Sequence, residues 1–81
     1  MYLVTRGINY EGESPDKVLE AEQEAIDYTR LKINDDEDWA DYYIVYTIPE
    51  LKSVFTISVE RDYSDGHNNL PKTTVKEHRP L

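Results

Sequence analysis

Hydrophobic and polar positions alternate at the start of the chain, and the period changes after residue 13. In the opening stretch YLVTRGINY, one side of an extended chain would hold Tyr2, Val4, Ile8 and Tyr10. This alternation is typical of a half-buried strand. Gly7 indicates a bulge or a tight turn inside it. We therefore expect one strand, or two short ones, before residue 11.

The next segment combines helix-start signals with a helical period. Ser14 suits an N-cap, Pro15 suits the first helical position, and Asn34 suits the C-terminal end. These signals predict one amphipathic helix from Pro15 to about Ile33. Its apolar arc would hold Val18, Leu19, Ala21, Ala25, Ile26, Thr29 and Ile33. The opposite side would carry an acidic stripe of Asp16, Glu20, Glu24 and Asp27.

Residues 42–60 predict a β-hairpin. Two stretches rich in β-branched and aromatic residues, about 42–48 and 53–60, flank the turn sequence PELK. The first stretch is apolar on both faces, which favours a central position in a sheet. Strict alternation points Tyr43 away from Tyr42 and Tyr46, so one of these two sets must leave a core covered by a single helix.

The predicted order is β-α-β-β, with an optional edge strand near residues 73–76. This order favours an α+β two-layer sandwich, in which one helix covers a three- or four-stranded, mainly antiparallel sheet. We expect a single domain over residues 1–64 and a polar C-terminal segment over 65–81, either mobile or partly strand. One face of the sheet then has nothing in the chain to cover it.

The charge of the chain changes the range of partners to consider. The 81 residues carry a net charge of -8, and residues 1–50 hold 13 acids against four bases. A free-standing nucleic-acid binder is expected to be basic, because Lys and Arg contacts to phosphate supply much of its affinity. We therefore expect no direct nucleic-acid binding and predict a basic protein surface as the partner.

Several kinds of chemistry find no support in the sequence. The chain has no cysteine, and its two histidines, His67 and His78, lie in the polar C-terminal region. It contains no phosphate-binding glycine loop and no HExxH pattern. We predict no catalytic residues, no metal site and no cofactor. With no apolar run of membrane-spanning length and no signal-peptide pattern, we expect a cytoplasmic protein without membrane contact.

The stretch NDDEDWADYY, residues 34–43, has three interpretations. The first, which we expect, is an exposed connection in which Trp39 folds back against the core and anchors the loop. The second is a surface for a partner, with an exposed Trp39 as its main contact. The third is a cation site formed by Asp35, Asp36, Asp38 and Asp41. The third ranks lowest, because the glycine that an EF-hand loop requires is missing.

These observations favour a small, acidic, non-enzymatic binding protein, an inhibitor or an adaptor. The composition is similar to that of many inhibitors encoded by phages and mobile elements, a likeness of composition only. The predicted partner-binding residues are Asp16, Glu20, Glu24, Asp27, Asp35, Asp36, Glu37, Asp38, Trp39 and Tyr43. A homodimer formed through the tyrosine-rich sheet is the alternative, and a cation-regulated module ranks below it.

Overall fold

One helix packs on a five-stranded antiparallel sheet in the computed structural model, which describes residues 1–35, 39–62 and 72–80. The elements are β1 (Tyr2–Ile8), β2 (Gly12–Leu19), α1 (Glu22–Ile33), β3 (Tyr42–Thr47), β4 (Lys52–Asp62) and β5 (Lys72–His78). The strand order is β2-β1-β3-β4-β5. The predicted α+β architecture is confirmed, with five strands instead of three or four. Within the described residues, no helix is long and apolar enough to cross a bilayer.

The additional strand is β2, and it replaces the first part of the predicted helix. Ser14 and Pro15 do not start a helix; they pair with β1 at the edge of the sheet. Proline is tolerated there because an edge strand does not need every backbone N–H for pairing. The register shifts between Val4 and Thr5, which marks an irregularity in the β1–β2 ladder. The predicted helix start is therefore wrong by seven residues, since α1 begins at Glu22.

The helix itself is short and is stabilised at both ends by its own sequence. Ala21 is the N-cap and makes no side-chain capping bond, but Glu22 and Glu24 lie in the first turn. Carboxylates are favourable there because the helix N-terminus is electropositive. At the other end, the Asn34 side chain donates to the carbonyl of Arg30 at 2.8 Å. The predicted end of the helix is thus confirmed.

The β3–β4 hairpin and its central position agree with the sequence pattern. β3 lies in the middle of the sheet, between β1 and β4. Beyond β4, β5 forms the optional edge strand over 72–78. The rest of the predicted C-terminal segment, residues 65–71 and 81, lies outside the described residues.

The core lies between α1 and one face of the sheet. Val4, Val45 and Phe55 are register partners across β1, β3 and β4, so they form a continuous apolar row. The buried cluster consists of Val4, Ala25, Ile26, Ile33, Ala40, Tyr43, Val45, Phe55 and Ile57. The helix contributes those residues of the predicted apolar arc that lie after position 22. The other face of the sheet carries no described element.

Charged side chains connect β5 and the residue after it to the helix. Arg30 donates two hydrogen bonds to the Glu77 carboxylate, at 2.9 and 2.8 Å. Arg79 pairs with Glu22 at 3.2 Å. Both guanidinium groups also lie over the Phe55 ring, at 5.7 and 5.6 Å from its centre. The last described segment is therefore held to α1 by ion pairs and by cation–π contacts.

Candidate functional site

Three of the predicted acids gather on the β2 side of the helix, although the helical stripe that predicted them does not exist. Asp16 lies on β2, Glu20 lies in the connection to α1, and Glu24 lies on α1. The Tyr28 hydroxyl donates to the Asp16 carboxylate at 2.6 Å, which joins β2 to the helix. Glu24 is one helical turn before Tyr28 and so lies on the same side. We call Asp16, Glu20 and Glu24, all exposed, the β2–α1 acidic surface.

Asp27, the fourth member of the predicted stripe, does not belong to this surface. It lies 3.7 Å from Arg30 and accepts a hydrogen bond from the Gln23 amide at 2.9 Å. Arg30 is the residue that bonds Glu77 on β5. Asp27 therefore faces the β5 side of the helix, where a base compensates its charge.

None of the described ion pairs involves the β2–α1 acidic surface. Among the described residues, four bases lie no farther than 3.2 Å from a carboxylate oxygen: Arg30, Arg61, Lys76 and Arg79. They lie on α1, on β4, on β5 and, for Arg79, directly after β5; we call residues 72–80 the β5 segment. By contrast, neither Glu20 nor Glu24 forms an ion pair with another residue that the structure describes. Lys17 of β2 also lies on this side, with its ammonium 5.1 Å from the centre of the Tyr28 ring. The β2–α1 acidic surface thus carries three acids beside Lys17, and none of the three forms a described ion pair.

The acidic loop is described only at its two ends. Asp36, Glu37 and Asp38 lie outside the described residues, whereas Asp35 is exposed. At the far end, one oxygen of Asp41 accepts from Arg61 at 2.8 Å and the other accepts from the backbone N–H of Asn9 at 2.7 Å.

The role of Asp41 bears on the cation interpretation. Both of its carboxylate oxygens already accept hydrogen bonds from the protein, so Asp41 anchors the start of β3. The described residues contain no group of three or more acids or histidines placed to hold a metal ion. The predicted cation site would rest on Asp36 and Asp38, which lie outside those residues.

Trp39 does not pack against the core, and that prediction is wrong. Its side chain is 66% exposed, whereas the adjacent Ala40 is 1% exposed and takes the buried position. The indole lies 5.9 Å from the Arg61 guanidinium. Arg61 also donates to the carbonyl of Ala40 at 3.2 Å, so the same cation holds the loop end and faces the ring. Trp39 is therefore an exposed aromatic residue beside the acidic loop.

Tyr43 is not a surface contact, and its assignment to a binding site is wrong. The residue is 0% exposed and lies in the core beneath α1. The alternation that separated Tyr43 from Tyr42 and Tyr46 is correct, because the register places these two on the opposite face. The sequence could not show which of the two faces the helix covers.

The sheet face opposite α1 contains a feature that the sequence reasoning missed. A shallow cavity of about 280 Å³ is lined by Leu3, Thr5, Glu13, Ser14, Pro15, Tyr46 and Leu51. Inside it, the Thr5 hydroxyl donates to Glu13 at 2.6 Å, and the Tyr46 hydroxyl lies 3.0 Å from the other carboxylate oxygen. We call this the Glu13 cavity. It was missed because Glu13–Pro15 resembles a helix start and not a strand.

The hydroxyl of Tyr46 remains protonated at neutral pH. Partial burial, followed by the hydrogen bond to Glu13, raises the pKa of Tyr46 above its ordinary value. Tyr46 therefore acts as a hydrogen-bond donor to the carboxylate, and side chains from β1, β2 and β3 meet at one acid.

Comparison with known proteins adds no relative. No protein-family model matches the chain, and neither a curated protein nor a solved structure matches it significantly.

Proposed function

We propose that this protein is a small, non-enzymatic binding protein, an inhibitor or an adaptor, that contacts a basic protein surface. The β2–α1 acidic surface is the proposed contact, with the acidic loop at residues 35–38 and the exposed Trp39 as its extension. The observation that supports the proposal is the separation of charge. Among the described residues, the four closely paired bases lie on α1, β4 and the β5 segment, whereas Glu20 and Glu24 form no ion pair.

Electrostatic repulsion within the surface and electrostatic steering of a basic partner both favour such a contact. Exposed carboxylates that share one side of a small domain repel one another, and a net charge of -8 adds to this cost. A partner that presents Lys and Arg relieves the repulsion. Complementary potentials also raise the association rate, and salt weakens this effect because the Debye length is only about 8 Å at physiological ionic strength.

The test compares two charge-reversed variants with the same change in net charge. The first carries Glu20→Lys and Glu24→Lys within the β2–α1 acidic surface. The control carries Glu50→Lys in the β3–β4 turn and Glu60→Lys on β4, both exposed. Each variant is used to capture partners from host lysate, at low and high salt, after circular dichroism has verified its fold.

We expect the wild type and the control to capture the same basic protein in a salt-sensitive manner, and the first variant to lose it. An interaction that survives both the Glu20 and Glu24 reversal and high salt would show that the acidic surface is not the contact. Equal loss in both variants would show that net charge alone, and not this surface, determines binding.

A homodimer is the second candidate, and the open face of the sheet favours it. Leu3, Ile44 and Tyr46 lie on the face opposite α1 and are only half-buried. A stable interface commonly buries about 1,200–2,000 Å² in total, so most of this face would have to take part. Sedimentation equilibrium at micromolar concentration decides the matter, since a monomer of 9.5 kDa would exclude the homodimer.

A further inference from the structure

The Glu13 cavity combines apolar walls with a single carboxylate. Leu3, Pro15 and Leu51 supply aliphatic surface, and the ring of Tyr46 supplies an aromatic wall. Glu13 forms no ion pair with any residue of the described chain. The cavity therefore offers one uncompensated negative charge beside apolar surface.

The carboxylate of Glu13 is oriented but not saturated. Thr5 bonds its Oε2 atom, and the Tyr46 hydroxyl lies 3.0 Å from Oε1 and 3.2 Å from Oε2. An ionised carboxylate offers about four acceptor positions, so acceptor capacity remains on this group. Because two neighbouring strands hold it in place, an incoming cation has little side-chain entropy to remove.

The size of the cavity restricts the ligand. Its volume of about 280 Å³ lies below the roughly 300–1,000 Å³ typical of pockets for drug-sized ligands. A single long side chain is a better match than a whole small molecule. An arginine places its methylene groups on apolar surface, its planar guanidinium against an aromatic ring, and its paired N–H donors on a carboxylate.

We infer that the Glu13 cavity receives an arginine side chain of the basic protein partner, with the guanidinium bound to Glu13. This inference rests on the proposed function and adds to it a specific anchoring residue. The cavity uses Glu13–Pro15 of β2, and Asp16 of the same strand belongs to the β2–α1 acidic surface. A partner that covers the β2 edge of the sheet therefore contacts both.

The experiment is an NMR titration of the isotope-labelled full chain with N-acetyl-arginine amide. The matched control is N-acetyl-citrulline amide, which has nearly the same shape but no charge. We expect the arginine probe to shift the amide signals of Leu3, Thr5 and Glu13, and to bind at least about tenfold more tightly than the citrulline probe. Equal shifts with both probes, or no shifts at these residues, would overturn the inference.

Two variants complete the design. Glu13→Gln keeps acceptor oxygen for Thr5 and Tyr46 but removes the charge, so binding of the arginine probe should fall to the citrulline level. Glu60→Gln, which removes one charge from β4 outside the cavity, should leave probe binding unchanged. The citrulline comparison needs no variant and decides the matter even if Glu13→Gln does not fold.

The outcomes separate this inference from the proposed function. If the probe does not bind in the cavity but partner capture still depends on Glu20 and Glu24, the arginine anchor is wrong and the proposed function stands. If the probe binds at Glu13 but reversal of Glu20 and Glu24 does not change partner capture, the Glu13 cavity binds arginine and the proposed acidic contact is wrong.

Discussion

At the scale of single residues, the open sheet face depends on a glycine. Gly7 on β1 is the register partner of Tyr42 on β3. The Tyr42 ring lies so close over Gly7 that an added Cβ atom would come within 2.0 Å of it. Because Gly7 does not have a positive φ, its requirement is steric and not conformational. An aromatic ring over a glycine is a known way to stabilise cross-strand pairs.

Replacement of Gly7 should therefore be costly only while the ring is present. We expect Gly7→Ala to lower the free energy of unfolding by about 1–3 kcal/mol, the range for overpacked sites. In a Tyr42→Ala background the same change should cost less than about 0.5 kcal/mol, because the obstacle is gone. Urea denaturation of the four proteins measures this coupling. The same cost in both backgrounds would rule out the ring as the cause.

The exposed position of Trp39 gives a second prediction at this scale. Trp39→Ala should lower the free energy of unfolding by less than about 1 kcal/mol, since it removes an exposed cation–π contact and no core packing. Phe55→Ala, a buried control, should cost about 3–5 kcal/mol. Thermal denaturation measures both. A fluorescence maximum far to the blue of free tryptophan would mean that the ring is buried after all.

At the scale of elements, the contact between α1 and β5 depends on pH. The hydrogen bonds from Arg30 are the main cause of a lowered pKa of Glu77. A carboxyl group with a lowered folded-state pKa contributes stability above its ordinary value of 4.5, and loses it as the pH falls through the lowered pKa. Acid should therefore loosen β5 from the helix.

This effect can be measured at one residue. In an NMR pH titration, the Glu77 carboxyl should titrate below its ordinary range, and Arg30→Gln should raise its pKa. The matched control is Lys32→Gln, which removes one positive charge from the same helix without a described contact to Glu77. If both variants moved the Glu77 pKa equally, the general charge of the helix and not the bidentate contact would be responsible.

Local patterns identified some elements and missed one. The β3–β4 hairpin and the second half of the helix were predictable, because alternation and the helical period are visible in consecutive residues. β2 was not, because Ser14, Pro15 and Asp16 satisfy the local rules for a helix start. As an exposed edge strand, β2 carries little apolar alternation of its own. It is defined by pairing with β1, which a local pattern does not contain.

In the candidate site, too, some features follow from the local sequence and others depend on distant residues. Charge alone predicts that Asp16, Glu20 and Glu24 are exposed, since unpaired acids must stay at the surface wherever the elements begin. The positions of Trp39 and Tyr43 depended on distant residues: Arg61 faces the indole, and the side of the sheet that α1 covers decides which tyrosines are buried. The Glu13 cavity required three strands in register, and no single segment indicates it.

At the scale of the whole molecule, the two sides of the sheet differ in charge compensation. Ion pairs connect α1, β4 and the β5 segment, whereas β2 lies between the β2–α1 acidic surface and the Glu13 cavity. All of β2 except Leu19 is exposed. A basic partner at this edge would meet, on both faces of one strand, carboxylates that form no described ion pair.

The most direct test is zero-length cross-linking of carboxylates to lysine amines in the complex with the captured partner. A carbodiimide joins only groups that are already in contact, and mass spectrometry identifies the linked residues. The account predicts that cross-links to the partner involve Glu20 and Glu24, and that high salt removes them. Cross-links confined to Glu50 and Glu60, or a yield unaffected by salt, would contradict it.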